Sequence, residues 1–238
     1  MTATKHKEFA PAVVSAKNHQ TGLYTATSAL PSFTTQKSST ENVPPRNRHN
    51  AVVSETRLRL FSRLSKECRS CARCRLSHFA SIFGNGPLNA RLVVVGDYGD
   101  KECASELTPF AGRVGGALYS VLNKYDILDA TYFTNAVKCV QPGAMKSTVM
   151  AFAINQCRYF LHREVTWIGP TVVVTMGDLA YQAIHLKKGG SIGEVRYFRD
   201  EPYSGIKCIH ITHPRHALGD LDKWYREWEE VIKLLEAQ

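Results

Sequence analysis

The chain has 238 residues and a mass of 26.6 kDa, enough for one ordinary domain with a tail. Hydrophobic residues make up 44% and charged residues 21%, which excludes a wholly disordered chain, and no apolar run reaches the ~20 residues a membrane span needs. Thirty Lys and Arg against 21 Asp and Glu leave a charge of +9, which favours a polyanionic partner, nucleic acid first. The start, MTATKHKEFA, has no apolar stretch of the secretory kind, so the expected location is the cytoplasm. The expected state is a monomer.

Residues 1–54 are rich in Ser, Thr, Ala, Asn and Pro without a sustained apolar period, and Val43-Pro44-Pro45 disfavours helix near their end. They read as a flexible basic tail. Lys5, Lys7, Lys17, Lys37, Arg46 and Arg48 outweigh Glu8 and Glu41, so it is either a solvated extension or an arm that adds nonspecific DNA affinity. The globular pattern covers 55–238. Leu58, Leu60, Phe61 and Leu64 predict a short amphipathic helix leading into Cys68-Arg-Ser-Cys71-Ala-Arg-Cys74. From Arg57 to Arg75 there are seven Lys or Arg and one acid, Glu67, a concentrated positive patch.

Four β-rich runs follow, at 91–96, 132–137, 171–177 and 207–212. Two are nearly continuous β-branched runs, the mark of strands buried on both faces. Helical patterns lie at 113–125, 148–166, 178–186 and 220–236, the second with Ser147-Thr148 as its expected N-cap. Strands alternating with helices imply an open α/β fold with a four-stranded parallel sheet flanked by helices. Such sheets bind ligands at the carboxyl ends of their strands.

The residues with chemistry fall at those ends. They are Gly96-Asp97-Tyr98-Gly99-Asp100, Pro109-Phe110-Ala111-Gly112, Thr134-Asn135 with Lys138-Cys139, and Thr212-His213-Pro214. Each alone has an ordinary structural reading as a turn, a cap or core; together they would meet on one rim. The seven cysteines are odd in number, which argues against a disulfide framework. Two local pairs, Cys71 with Cys74 and Cys139 with Cys157, suit four thiolates around a tetrahedral zinc or a [4Fe–4S] cluster, and spacing does not choose between them.

These motifs, in this order from residue 68 to 216, resemble the iron–sulfur branch of the uracil-DNA glycosylase superfamily, commonly called family 4. The matching segments are Cys71-x-x-Cys74-Arg75-Leu76, Ile82-Phe83-Gly84-Asn85-Gly86, the run 90–96, Pro109 to Gly112, Tyr132 to Cys139, Cys157 and His213-Pro214. The resemblance implies a [4Fe–4S] cluster of structural role on Cys71, Cys74, Cys139 and Cys157, with Cys68 as an extra thiol beside them. It implies a monofunctional DNA glycosylase that flips a base into a pocket. Phe110 would stack on the base, Asn135 would read its edge, Tyr98 would wall the pocket, and His213 would stabilise the departing base. Asp97 stands at the position of the family's acid, with Asp100 as a second candidate carboxylate. Arg73, Arg75, Lys138, Arg215 and His216 are the expected DNA contacts, joined by Arg63, Lys66 and Arg69 of the same basic patch.

The family's first loop reads G-E-x-P-G, whereas this chain has a shorter acid, no proline, and Tyr98 and Asp100 as new bulk and charge. Arg215 and His216 replace the family's usual small residue and aromatic after His-Pro. The expected substrate is therefore uracil or a modified pyrimidine, such as the glucosylated hydroxymethylcytosine of phage DNA, whose removal would be an anti-phage defence. The alternative is a non-catalytic protein that binds DNA or abasic sites.

Overall fold

The β-branched runs become strands of one sheet, because a strand covered on both faces has no polar side to present. The computed structural model describes residues 46–140, 143, 146–198 and 203–237. The expectation for residues 1–45 lies outside them. The strands are β1 (Leu92–Tyr98), β2 (Thr131–Val137), β3 (Val172–Met176), β4 (Val195–Tyr197) and β5 (Lys207–Ile211), in the order β2-β1-β3-β5-β4. The first four of that order are parallel, as expected; β4 adds a short antiparallel edge strand on β5.

The helices are α1 (Arg46–Arg69), α2 (Lys101–Glu106), α3 (Gly112–Lys124), α4 (Ser147–Ile168), α5 (Asp178–His185), α6 (Pro214–Ala217) and α7 (Leu221–Glu236). Side chains of α1, α4 and α5 pack on one face of the sheet, those of α3 and α7 on the other. On α7 the buried residues are Trp224, Trp228, Val231 and Leu235, a stripe at helical spacing. Two expectations need correction. The first helix starts at Arg46, inside the segment assigned to the tail. The N-cap of α4 is Lys146, with no side-chain capping bond, and Ser147 is already helical.

The connection from β1 to β2 packs α3 on one face and the connection from β3 packs α5 on the other. Connections therefore diverge between β1 and β3, and a crevice at that divergence is where an open sheet takes its ligand.

A buried polar knot fixes β2 to α4. Glu164, fully buried, accepts from the Lys138 ammonium, from the Thr134 hydroxyl at 3.0 Å, from Tyr132 Oη at 3.0 Å and from the Gly84 amide at 2.9 Å. Lys138 is only 1% exposed, so its expected role as a DNA contact is wrong: its charge is consumed inside the protein. Removing one partner of such a pair strands the other charge in a dry interior. Glu164→Leu is expected to cost about 3–5 kcal/mol, read as a shift of the urea midpoint, whereas the double change Glu164→Leu with Lys138→Met should recover much of the loss.

Candidate active site

Gly96 sits where β1 meets Asn135 of β2 in register. A Cβ there would lie 2.6 Å from Asn135 Oδ1 and 2.7 Å from the Phe110 ring, so only glycine lets the amide and the ring converge. Asn135 is 3% and Phe110 5% exposed. Phe110 holds a left-handed backbone, φ 56°, and its ring meets Phe133 edge-on with centroids 6.1 Å apart. The fold thus brings together the two residues expected to hold a base. Tyr98 does not join them: it packs against the core on the α4 and α5 face, opposite to Phe110.

Asp97 points to the other face from Gly96, as strand alternation requires. Its Oδ1 accepts from the Ala180 amide at 2.8 Å, in the first turn of α5. Gly177, φ 101°, allows this approach, since a Cβ there would lie 2.5 Å from both carboxylate oxygens. Burial pushes the Asp97 carboxyl up to about 6, against the downward pull of the Ala180 and Leu179 amides. The acid is therefore rigidly aimed and ionised above that pH.

Asp100 caps α2, its Oδ1 accepting from the Cys103 amide at 3.1 Å, and its Oδ2 stands 3.6 Å from Arg215. This ion pair spans the loops after β1 and β5. His213 lies beside Arg215 at the start of α6, and its Nδ1 accepts from the Arg215 amide at 3.2 Å. The proton of the neutral ring is consequently on Nε2. Burial, then Arg215 and His216, hold the His213 pKa down at about 4, so the ring is neutral at physiological pH. The strand end before it is fixed from α7. Glu227 accepts from the Thr212 amide and hydroxyl at 2.8 and 2.9 Å, and Trp224 Nε1 donates to the Thr212 carbonyl at 3.0 Å. Neither Glu164 nor Glu227 stands out in the sequence, because an acid in a helix carries no local sign that it closes on a distant strand.

The thiols gather where α1 ends against α4 and the end of β2. Cys68, Cys139 and Cys157 are buried, while Cys71 and Cys74 are half-buried. The Lys138 amide donates to Cys157 Sγ at 3.4 Å. Burial pushes Cys139 up to about 12, and the thiols of Cys157, Cys74, Cys68 and Cys71 add to it, which places all five in one neighbourhood. Among the described residues no three His, Cys, Asp or Glu converge as the ligands of a single metal ion. The donor chemistry, four thiols of the expected set in one neighbourhood, is of the kind an iron–sulfur cluster takes.

Of the basic patch, Arg63, Lys66, Arg69 and Arg75 are exposed. Arg73 is partly engaged: it pairs with Glu67 at 3.0 Å and its guanidinium lies 4.4 Å from the centre of the Tyr159 ring. Arg215 and His216 are exposed on the rim.

Residues 83–235 match the sequence profile of the Uracil DNA glycosylase superfamily. A type-4 uracil-DNA glycosylase of Thermotoga maritima is 31% identical over 166 residues, covering 68% of this chain and 85% of that protein. One from Sulfurisphaera tokodaii is 27% identical over 168 residues, 66% of this chain and 76% of that protein. A third, from Archaeoglobus fulgidus, is 29% identical over 167 residues, 64% of this chain and 80% of that protein.

Proposed function

Because the chain belongs to the uracil-DNA glycosylase superfamily, we propose that it is a monofunctional DNA glycosylase, one that turns a pyrimidine out of DNA and hydrolyses its N-glycosidic bond. The observation that carries this reading is the convergence of Phe110 and Asn135 at Gly96, with a rigidly held acid on the next residue of the same strand. Phe110 stacks on the extruded base, and the Asn135 amide offers a donor and an acceptor to its edge. As the bond from the sugar C1′ to the base nitrogen breaks, its electron pair leaves with the base. His213 Nε2–H donates to the oxygen where that charge collects. The ionised Asp97 offsets the positive charge on the sugar and orients the water whose oxygen bonds to C1′. The water's proton ends on the departing base or solvent.

The substrate is uracil or a modified pyrimidine. The Asp100–Arg215 pair places a carboxylate and a guanidinium on the rim, where the hydroxyls of a sugar-bearing base would meet both; this supports the glucosylated hydroxymethylcytosine of phage DNA, and with it a defence role. The test is to incubate the protein with uracil duplex and with glucosylated phage DNA and assay alkali-labile sites and free base. Release from either supports the proposal and selects the substrate; binding without release from both overturns it.

Cys71, Cys74, Cys139 and Cys157 would hold the [4Fe–4S] cluster, which when bound ties the 71–74 turn to the end of β2 and to α4 rather than taking part in the reaction. Purified without oxygen, the protein should be brown, and Cys139→Ser should lose iron, sulfide and thermal stability together. Cys71→Ser should retain more iron than Cys139→Ser, because buried Cys68 lies within the same group. Colourless, zinc-loaded protein with full activity would refute the assignment.

DNA affinity should fall steeply with salt. Removing Arg63, Lys66 and Arg69 together should lower the log–log slope by about three, one for each phosphate that is no longer neutralised. Arg73→Ala should instead affect stability, since its charge is met by Glu67.

A further inference from the structure

The sheet stops short of His213. β5 pairs with β3 as far as Ile211, opposite Met176, and its pairing with β4 ends earlier, at Ile209. Among the described residues no strand reaches Thr212 to take its peptide groups, and α7 takes them instead. Glu227 accepts from both the amide and the hydroxyl of Thr212, at 2.8 and 2.9 Å, and Trp224 Nε1 donates to the Thr212 carbonyl at 3.0 Å. Trp224 and Glu227 lie three residues apart and so share a face of the helix. Trp224 is 1% exposed and belongs to the core on that side of the sheet, which makes α7 a firm mount. Beyond Thr212 the backbone has little freedom left. His213 is held by its own bond from the Arg215 amide, and Pro214 has a fixed φ.

We infer that Glu227 is a positioning residue for the reaction: by gripping both donors of Thr212 it fixes where His213 carries its Nε2–H. This role presupposes the glycosylase reading of His213. A donor stabilises a developing charge best when it is aimed before the charge appears, and a misplacement of about 1 Å can cost ~10²-fold. The two-point grip suits that demand. One carboxylate fixes the peptide plane and the side-chain rotamer of the same residue, so the chain leaves Thr212 toward His213 in a single direction.

The test reads the His213 ring directly, beside the rate. With isotopically labelled histidine, nitrogen NMR of the unaltered protein should show the neutral ring with its proton on Nε2. Glu227→Ala should mix the two neutral tautomers and slow single-turnover base release roughly 10–100-fold, with DNA affinity kept within about twofold. Glu227→Gln should restore most of the rate, since its amide can accept from the Thr212 N–H and donate to the Thr212 hydroxyl. Asp220→Ala controls for stability alone: Asp220 caps α7 through the Lys223 amide, so its loss should lower the melting temperature and leave tautomer and rate as they were. In the His213→Ala background, Glu227→Ala should cost less than about twofold more, because its effect passes through the ring. Should Glu227→Ala not fold, Thr212→Val removes one point of the grip and should move tautomer and rate the same way by less. A rate loss at Glu227 with the spectrum intact, an equal loss in Asp220→Ala, or an undiminished loss without His213 would overturn this role alone. No base release by the unaltered protein would overturn the glycosylase reading and this role with it.

Discussion

Asp97→Asn is expected to slow base release by roughly 10²–10⁴-fold, the range for a positioned acid–base group. The substitution is close to a pure charge test. An asparagine oxygen can still accept from the Ala180 amide, so the first turn of α5 keeps its partner and the melting temperature should barely move. The same residue sets the pH profile. With its carboxyl pushed up to about 6 by burial, Asp97 takes up a proton as pH falls through that value, and activity should fall with it. Above it the carboxylate is charged and the rate should level off. His213, held down at about 4, stays neutral across this range and adds no limb of its own. In Asp97→Asn the residual rate should lose the limb near 6. A full rate in this variant, with loss in Asp100→Asn on every substrate, would exchange the two roles.

The second large effect is at His213. His213→Ala should cost about 10²–10³-fold, the usual loss when one preorganised donor to a developing anion is removed. The side chain also caps α6 through Nδ1, so alanine should lower stability by about 1 kcal/mol as well. His213→Asn separates the two contributions. Its side-chain oxygen can take the Arg215 amide, so stability should recover while the rate remains low. Asp100→Asn keeps the cap of α2 for the same reason. It should hardly affect uracil release, and a large loss on a glucosylated base alone would support the sugar-reading role of the Asp100–Arg215 pair.

The parallel core is legible in the sequence because its signal is local: a run such as Leu92 to Val95 reads as a strand buried on both faces, and the ends of such strands are where open sheets work. Phe110, Asn135 and His213 stand out by their position on that rim. The errors share one cause, dependence on a distant partner. Lys138 reads as a surface cation until Glu164 returns from α4 to bury it. The edge role of Lys138 is thus lost to the core, while Asp100 keeps its place on the rim and also caps α2. β4 is three residues long and partly exposed, so it shows no alternation and exists only through its pairing with β5. The early start of α1 is hidden because Arg46 to Asn50 carry no apolar residue.

The most direct test of the proposed chemistry is to follow a DNA strand and its base separately by mass spectrometry under single-turnover conditions. The expected result is free pyrimidine in step with a strand that carries one abasic site and stays unbroken until alkali is added, with both signals falling together in Asp97→Asn and His213→Ala. Tight binding with no free base from uracil-containing or glucosylated DNA, or a strand cut without alkali, would contradict it.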